Sequence, residues 1–182
     1  MGEHKNLIEL ISSSEIDVKI KDIADDISLY FNNESVVFVI VLNGGFIFGS
    51  ELTKSVDLDC EVDFIKVSSY NGRDSQTDIK LEKDLSIDVA GKNVVIIEDI
   101  IDTGNTINYL IKLIERHNPK LIKVATMLLK PETAISKTNI DWVGFKIETD
   151  FVVGFGLDYD QKFRNLNGIY KLGGVKIGRA HV

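Results

Sequence analysis

The chain has few of the residues that crosslink small domains or break secondary structure. Its single cysteine, Cys60, excludes an intrachain disulfide and a zinc site built on cysteines. It has two prolines, Pro119 and Pro131, and no stretch rich in Pro, Ser and Gly that would serve as a linker. With 182 residues and 44% hydrophobic content, we expect residues 1–182 to form a single domain.

Long apolar runs and positive charge are also scarce. The longest apolar run, VVFVIVL at 36–42, is far shorter than the ~20 residues that cross a bilayer. The N-terminus lacks the basic and apolar regions of a secretion signal. A formal net charge of −7 argues against a broad surface for nucleic acid. These absences predict a cytoplasmic protein that binds neither membrane nor nucleic acid.

Apolar periodicity predicts helices that alternate with buried strands. The predicted helices are 16–31, 46–56 and 107–114, and the predicted strands are 36–42, 60–68, 92–98, 121–129 and 151–155. About half of the segment 70–84 is charged, which is typical of a mobile loop or lid. The pattern predicts an α/β fold with a Rossmann-like parallel sheet flanked by helices, whose ligands bind at the carboxyl ends of the strands.

Negative charge collects at one of these strand ends. The segment VVIIEDIIDTGNTI (94–107) places Glu98, Asp99 and Asp102 directly after four apolar residues. Carboxylates this close must be spread out, protonated or met by a cation, and hard oxygen ligands suit Mg²⁺. The spacing of Asp99 and Asp102 does not fit the Asp-x-Asp motif of a phosphatase with an aspartyl nucleophile.

A polar turn follows the carboxylates and opens a predicted helix. Its residues are Thr103, Gly104, Asn105 and Thr106. Backbone N–H groups at a helix N-terminus, together with two threonine hydroxyls, form a binding site for a phosphate. The plainer alternative is a solvated turn in which Thr106 caps the helix. A Walker A loop is excluded because its GxxxxGK[ST] pattern is missing.

This carboxylate and Thr-Gly pattern resembles the signature of transferases that use phosphoribosyl pyrophosphate, and within them the hypoxanthine-guanine phosphoribosyltransferases. Four further segments resemble the same family in the same order, namely VLNGGFIFGSEL, DFIKVSSYNG, VATMLLKPE and WVGFKIETDFVVGFGLDYDQKFRNL. The resemblance implies a type I phosphoribosyltransferase fold with a small hood formed from the terminal segments. It also implies transfer of the 5-phosphoribosyl group to a 6-oxopurine, hypoxanthine or guanine, with release of pyrophosphate.

The resemblance implies roles for the residues around the sugar. Glu98 and Asp99 would face the ribose hydroxyls and a Mg²⁺ ion. Asp102 would lie near purine N7 as the general base. The segment 103–106 would hold the 5′-phosphate.

Three further residues would bind the purine. By resemblance, Lys130 donates to the oxygen at C6, which disfavours adenine because its amine is also a donor. Phe151 would stack on the base, and the backbone of Val152 would contact the base edge. From the sequence alone, a surface lysine and a core phenylalanine are the plainer interpretations.

The pyrophosphate would be held from several segments. By resemblance these residues are Asn43, Gly44, Ser69, Tyr70 and Arg164, and Asp158 would bind a second Mg²⁺. The Asn43–Gly44 peptide would be cis. Asn43 stands where many relatives have a basic residue, so only the backbone role carries over there.

Two alternatives stay open at this stage. One is a regulator that keeps the fold and senses phosphoribosyl pyrophosphate, which should show a basic face and lose the base or the lid. The other is a sibling enzyme that prefers xanthine. Relatives are dimers or tetramers, so the resemblance also implies a homodimer or homotetramer.

Overall fold

The structure is a computed structural model that describes residues 7–71, 77–133 and 139–173. Within those ranges the helices are α1 (Ser13–Phe31), α2 (Phe46–Ser55) and α3 (Asn105–Glu115). The strands are β1 (Leu7–Ile11), β2 (Val36–Leu42), β3 (Cys60–Asn71), β4 (Thr77–Lys83), β5 (Asn93–Ile101), β6 (Leu121–Leu129), β7 (Trp142–Lys146), β8 (Val152–Val153) and β9 (Ile169–Leu172). None of these helices is long and apolar enough to cross a membrane.

The larger sheet confirms the predicted parallel sheet flanked by helices. Its strand order is β4-β3-β2-β5-β6-β7, and all neighbouring pairs except β3–β4 are parallel. Alternate residues of β2 face opposite sides, so Phe38 and Ile40 pack with α1 and α2 while Val37 and Val39 pack with α3. Burial on both faces explains why this strand is a continuous apolar run.

A second, antiparallel sheet joins the two ends of the described chain. Its order is β1-β9-β8, and Leu7 of β1 lies opposite Leu172 of β9. The predicted hood is therefore present as a three-stranded sheet, which we call the hood sheet. Strands from distant parts of the sequence close it, so its formation depends on tertiary pairing rather than on a local hairpin.

Two predicted elements are wrong in part. Residues 77–83, predicted as loop, form the edge strand β4, whose Ile79 and Leu81 alternate with charged residues. The predicted strand 151–155 is reduced to Val152–Val153, because Gly154 and Phe155 have positive φ values of 98° and 50° that end the extended backbone. This short strand belongs to the hood sheet.

Two further differences concern strand extent. β5 continues to Ile101, so Asp99, which the prediction placed directly after the strand, lies inside it together with Glu98. β7 was not predicted as a strand, although three of its five residues are large and apolar; four of the five are half-buried and Lys146 is exposed.

Candidate active site

Two adjacent carboxyl groups lie at the carboxyl end of β5. Glu98 is 7% exposed and Asp99 is partly buried. Burial raises the pKa of Glu98 well above its usual range, and the neighbouring Asp99 adds to the effect through its charge and a shared hydrogen bond. Burial also raises the pKa of Asp99. Ionisation of both carboxyl groups is therefore unfavourable here, and the pair is stabilised by binding either a proton or a cation.

The donor set fits Mg²⁺ better than a metal held by protein alone. Among the residues that the structure describes, no three His, Cys, Asp or Glu side chains cluster around one point. Mg²⁺ takes oxygen ligands and usually keeps several waters or substrate oxygens. Two adjacent carboxyl groups at a ligand-binding strand end match that requirement.

Gly44 lies against the Asp99 carboxyl group. A Cβ atom added to Gly44 would stand 1.7 Å from Oδ2 of Asp99, and one added to Gly156 would stand 2.1 Å from the Gly44 carbonyl oxygen. The Gly44 backbone is thus held between Asp99 and Gly156. No side chain fits at either glycine without moving its neighbours.

The turn after β2 carries a cis peptide, but one position earlier than predicted. The cis bond joins Leu42 to Asn43, not Asn43 to Gly44. β2 ends at Leu42, so the cis bond is the first peptide of the turn, and the resemblance had placed it one residue too late. An open pocket of about 470 Å³ adjoins this turn, lined by Leu42, Asn43, Phe46, Phe64 and Arg164.

Arg164 and Asp158, predicted for different ligands, contact each other. The guanidinium of Arg164 lies 2.8 Å from Oδ1 of Asp158, and it also donates to the Gly156 carbonyl oxygen at 2.8 Å. Oδ2 of Asp158 accepts the backbone N–H of Gln161 at 2.8 Å. The charge of Arg164 also lowers the pKa of Asp99, against the larger effect of burial. Arg164 therefore connects the segment after β8 to the carboxyl pair.

The polar turn before α3 is not closed by a threonine cap. The N-cap is Gly104, with φ of 81° and no side-chain cap, so the alternative that assigned the cap to Thr106 is wrong. Thr103 Oγ1 accepts only a long hydrogen bond, 3.4 Å, from the N–H of Asn105. Since α3 begins here, its first-turn N–H groups have no acceptors within the helix, as an anion site requires.

Lys130 and Asp102 meet at the ends of neighbouring strands. Ile101 of β5 lies opposite Leu129 of β6, and the Lys130 N–H donates to the Ile101 carbonyl oxygen. The Lys130 Nζ then lies 3.1 Å from Oδ2 of Asp102. The Lys130 side chain is only 11% exposed, so the surface-lysine interpretation is wrong.

The aromatic residue predicted to stack on the purine has an aromatic neighbour. Phe151 and Tyr159 pack edge to face, with ring centroids 5.9 Å apart and an interplanar angle of 83°. Val152 is buried in β8. Tyr159 and Thr133, which contacts Asp102, were not among the predicted site residues. No motif or periodicity in the sequence marks either of them.

Ser69 and Tyr70 lie near the C-terminal end of β3, opposite Ile79 and Asp78 of β4. Their side chains and residues 72–76 are outside the described part of the chain. Their predicted contact with pyrophosphate stays a prediction, as do the ligand contacts of the other site residues.

The chain matches the phosphoribosyl transferase domain family over residues 11–160. It is 37% identical to hypoxanthine phosphoribosyltransferase of Buchnera aphidicola, over 90% of this chain and 94% of that protein. It is 40% identical to hypoxanthine-guanine phosphoribosyltransferase of Bacillus subtilis, over 86% of this chain and 88% of that protein. A crystal structure of a hypoxanthine-guanine phosphoribosyltransferase from Bacillus anthracis superposes with a TM-score of 0.88 at 38% identity, covering 92% of this chain and 99% of the other.

Proposed function

This chain belongs to the phosphoribosyl transferase family, and from that premise we propose that it is a purine salvage enzyme. It moves the 5-phosphoribosyl group from phosphoribosyl pyrophosphate to hypoxanthine or guanine, giving IMP or GMP and pyrophosphate. The names of the similar proteins from Buchnera aphidicola, Bacillus subtilis and Bacillus anthracis support this activity.

The pairing of Lys130 with Asp102 carries the proposal. A 6-oxopurine presents an N7 proton beside its C6 oxygen, so it offers a donor and an acceptor to a carboxylate and an ammonium that lie side by side. Asp102 accepts the N7 proton as the purine nitrogen bonds to the ribose carbon and pyrophosphate leaves. Adenine places an amine where Lys130 needs an acceptor, and the two donors would face each other.

The other half of the site is assigned to the sugar and its phosphates. Glu98 and Asp99 bind the ribose hydroxyls, and the turn 103–106 binds the 5′-phosphate. The turn at Asn43 and Gly44, together with Arg164, Ser69 and Tyr70, binds pyrophosphate. The Gly44 backbone lies against Asp99 and against Gly156, whose carbonyl oxygen accepts from Arg164, and these contacts support this arrangement.

We propose that Glu98 and Asp99 hold one Mg²⁺ and that Asp158 holds a second. Bound Mg²⁺ would neutralise charge on the pyrophosphate and on the carboxyl pair. The ion pair with Arg164 uses one lone pair of Oδ1, so the Asp158 carboxylate keeps other oxygen lone pairs for a metal. The planar guanidinium of Arg164 is suited to donate to pyrophosphate oxygens.

We further propose that the enzyme works in the cytoplasm as a homodimer or homotetramer. Phe46, Val62 and Phe64 are large apolar side chains that are exposed on α2 and β3. Phe46 and Phe64 line the same open pocket. An apolar patch of this kind beside the active site is suited to burial against a second copy of the chain.

A spectrophotometric assay with phosphoribosyl pyrophosphate and Mg²⁺ tests the activity. We expect turnover of hypoxanthine or guanine, no turnover of adenine, and loss of activity when a chelator removes Mg²⁺. The Asp102→Asn variant should lower kcat by about 10²-fold or more, the size of a general-base contribution. Turnover of xanthine in preference to both other 6-oxopurines would favour the sibling enzyme. Binding of phosphoribosyl pyrophosphate without turnover of any base would favour the regulator.

A further inference from the structure

Both oxygens of the Asp102 carboxylate are occupied by side chains that follow β6. Lys130 Nζ contacts Oδ2 at 3.1 Å, and the Thr133 hydroxyl donates a hydrogen bond to Oδ1. Other acceptors near that hydroxyl are more distant: the Lys130 carbonyl oxygen at 3.3 Å and the Asp102 carbonyl oxygen at 3.4 Å. The single hydroxyl proton is therefore assigned to the carboxylate.

A tight turn places these two donors at a fixed spacing. The Thr133 N–H donates to the Lys130 carbonyl oxygen at 3.3 Å, so residues 130–133 form a β-turn. Pro131 occupies the second position, where its fixed φ favours such turns. The turn is anchored to β5 because the Lys130 N–H bonds Ile101, the residue before Asp102. Asp102 and both of its donors thus lie together where β5 and β6 end.

Lys130 and Thr133 would behave differently in the proposed reaction. A purine that binds between Lys130 and Asp102 draws the ammonium toward its C6 oxygen and needs Oδ2 for its N7 proton. Thr133 has no such competing partner on the substrate and can stay on Oδ1. Without it the carboxylate would have no second anchor, and χ2 of an aspartate is a soft torsion.

We propose that Thr133 is a positioning residue for this transferase: it holds the Asp102 carboxylate so that Oδ2 faces purine N7 after Lys130 has turned to the base. The inference rests on the proposed function. It assigns to Thr133 an effect on the chemical step and none on the binding of phosphoribosyl pyrophosphate, for which we proposed the carboxyl pair, the turn 103–106 and the turn at Asn43 and Gly44.

Replacing Thr133 by valine keeps the shape of the side chain and removes the hydroxyl. We expect Thr133→Val to lower kcat about tenfold, the usual effect of a hydrogen bond to a charged group, with an unchanged KM for phosphoribosyl pyrophosphate. Thr133→Ser should restore most of the activity. Glu132→Gln, on the exposed face of the same turn, is the matched control and should behave as wild type.

A double-mutant cycle separates positioning from a general structural role. If Thr133 acts through Asp102, Thr133→Val should have little further effect in the Asp102→Asn background. An equal loss in both backgrounds would overturn the inference, as would a Thr133→Val enzyme as active as wild type. Such results leave the proposed function intact, whereas an inactive wild type would contradict that function itself.

NMR spectroscopy tests the contact between Thr133 and Asp102 without any enzymatic turnover. The ¹³C shift of the Asp102 carboxyl carbon, assigned by its loss in Asp102→Asn, should change in Thr133→Val and return in Thr133→Ser. An unchanged shift in Thr133→Val would show that the hydroxyl does not hold the carboxylate, and the inference would fail whatever the enzyme's activity.

Discussion

Gly44 has no side chain, and this leaves the space that the Asp99 carboxyl group occupies. The Cβ of an alanine there would overlap Asp99 Oδ2, at 1.7 Å. We expect Gly44→Ala to push Asp99 out of position and lower kcat/KM for phosphoribosyl pyrophosphate at least tenfold, because the carboxyl pair is the proposed binding site for the ribose hydroxyls and Mg²⁺. Steady-state kinetics at varied Mg²⁺ concentration measure the effect.

Gly91 offers the matched control for that substitution. A Cβ at Gly91 meets no atom within 4 Å, but its φ of 69° is strained for alanine. Gly91→Ala should therefore cost about 1 kcal/mol of stability and leave kcat/KM unchanged at temperatures well below unfolding. Equal kinetics for both alanine variants would contradict the role given to Gly44.

The residue types at the site were readable from the sequence, but their contacts with one another were not. Glu98, Asp99 and Asp102 stand out because charge directly follows an apolar run. The contact between Lys130 and Asp102 depends on the register of β5 against β6, and that of Arg164 with Asp158 depends on a non-repetitive turn. Neither contact can be inferred from a periodic pattern in the sequence. Thr133 becomes visible only once the turn after β6 is placed.

At the scale of elements, β2 and β6 were predicted to the residue. Both strands are mainly apolar and are bounded by turn-forming residues. β4 was missed because an edge strand with solvent on one side carries charged residues. Its strand conformation is imposed by pairing with β3, which the local sequence does not reveal.

A buried carboxylate joins β3, β4 and the segment that follows them. Asp63 accepts hydrogen bonds from the N–H groups of Phe64, Ser86 and Ile87 and from Nζ of Lys83. Burial opposes ionisation of Asp63, but these hydrogen bonds hold the pKa of its carboxyl group below its usual range. The ionised form is therefore favoured by folding.

Asp63→Asn should destabilise the fold at pH 7 by about 2 kcal/mol, because an amide cannot accept all of these hydrogen bonds. Because the pKa of Asp63 is lowered in the native state, its carboxylate contributes its full stabilisation above the pKa of an unfolded-state aspartate, about 3.9. That contribution is lost as the pH falls through the native pKa. The difference between wild type and variant should thus shrink below about pH 4. Urea unfolding at pH 7 and pH 3.5 measures both differences.

The exposed Asp59, just before β3, provides the control. Asp59→Asn should change stability by less than about 0.5 kcal/mol at either pH, as surface substitutions usually do. A pH-independent loss in Asp63→Asn would mean that packing, and not the ionised carboxylate, joins these elements.

At the scale of the whole molecule, a patch of exposed apolar side chains on β3 and α2 lies beside the proposed active site. Val62 and Phe64 project from the same face of β3, as alternate residues of a strand do, and Phe64 shares its pocket with Phe46. Asn43 and Arg164 line that pocket too, so assembly through this surface would bring a second copy close to the proposed pyrophosphate site.

Phe64→Glu should convert the proposed oligomer to a monomer, because association would bury an unpaired charge at this surface. Multi-angle light scattering after size-exclusion chromatography measures the mass, and circular dichroism verifies that the variant is folded. Leu29→Glu is the matched control: Leu29 is 81% exposed on α1 and does not line the pocket, and the variant should keep the wild-type mass. A Phe64→Glu variant with the wild-type oligomeric mass would place the interface elsewhere, and a monomeric wild type would refute the oligomer itself.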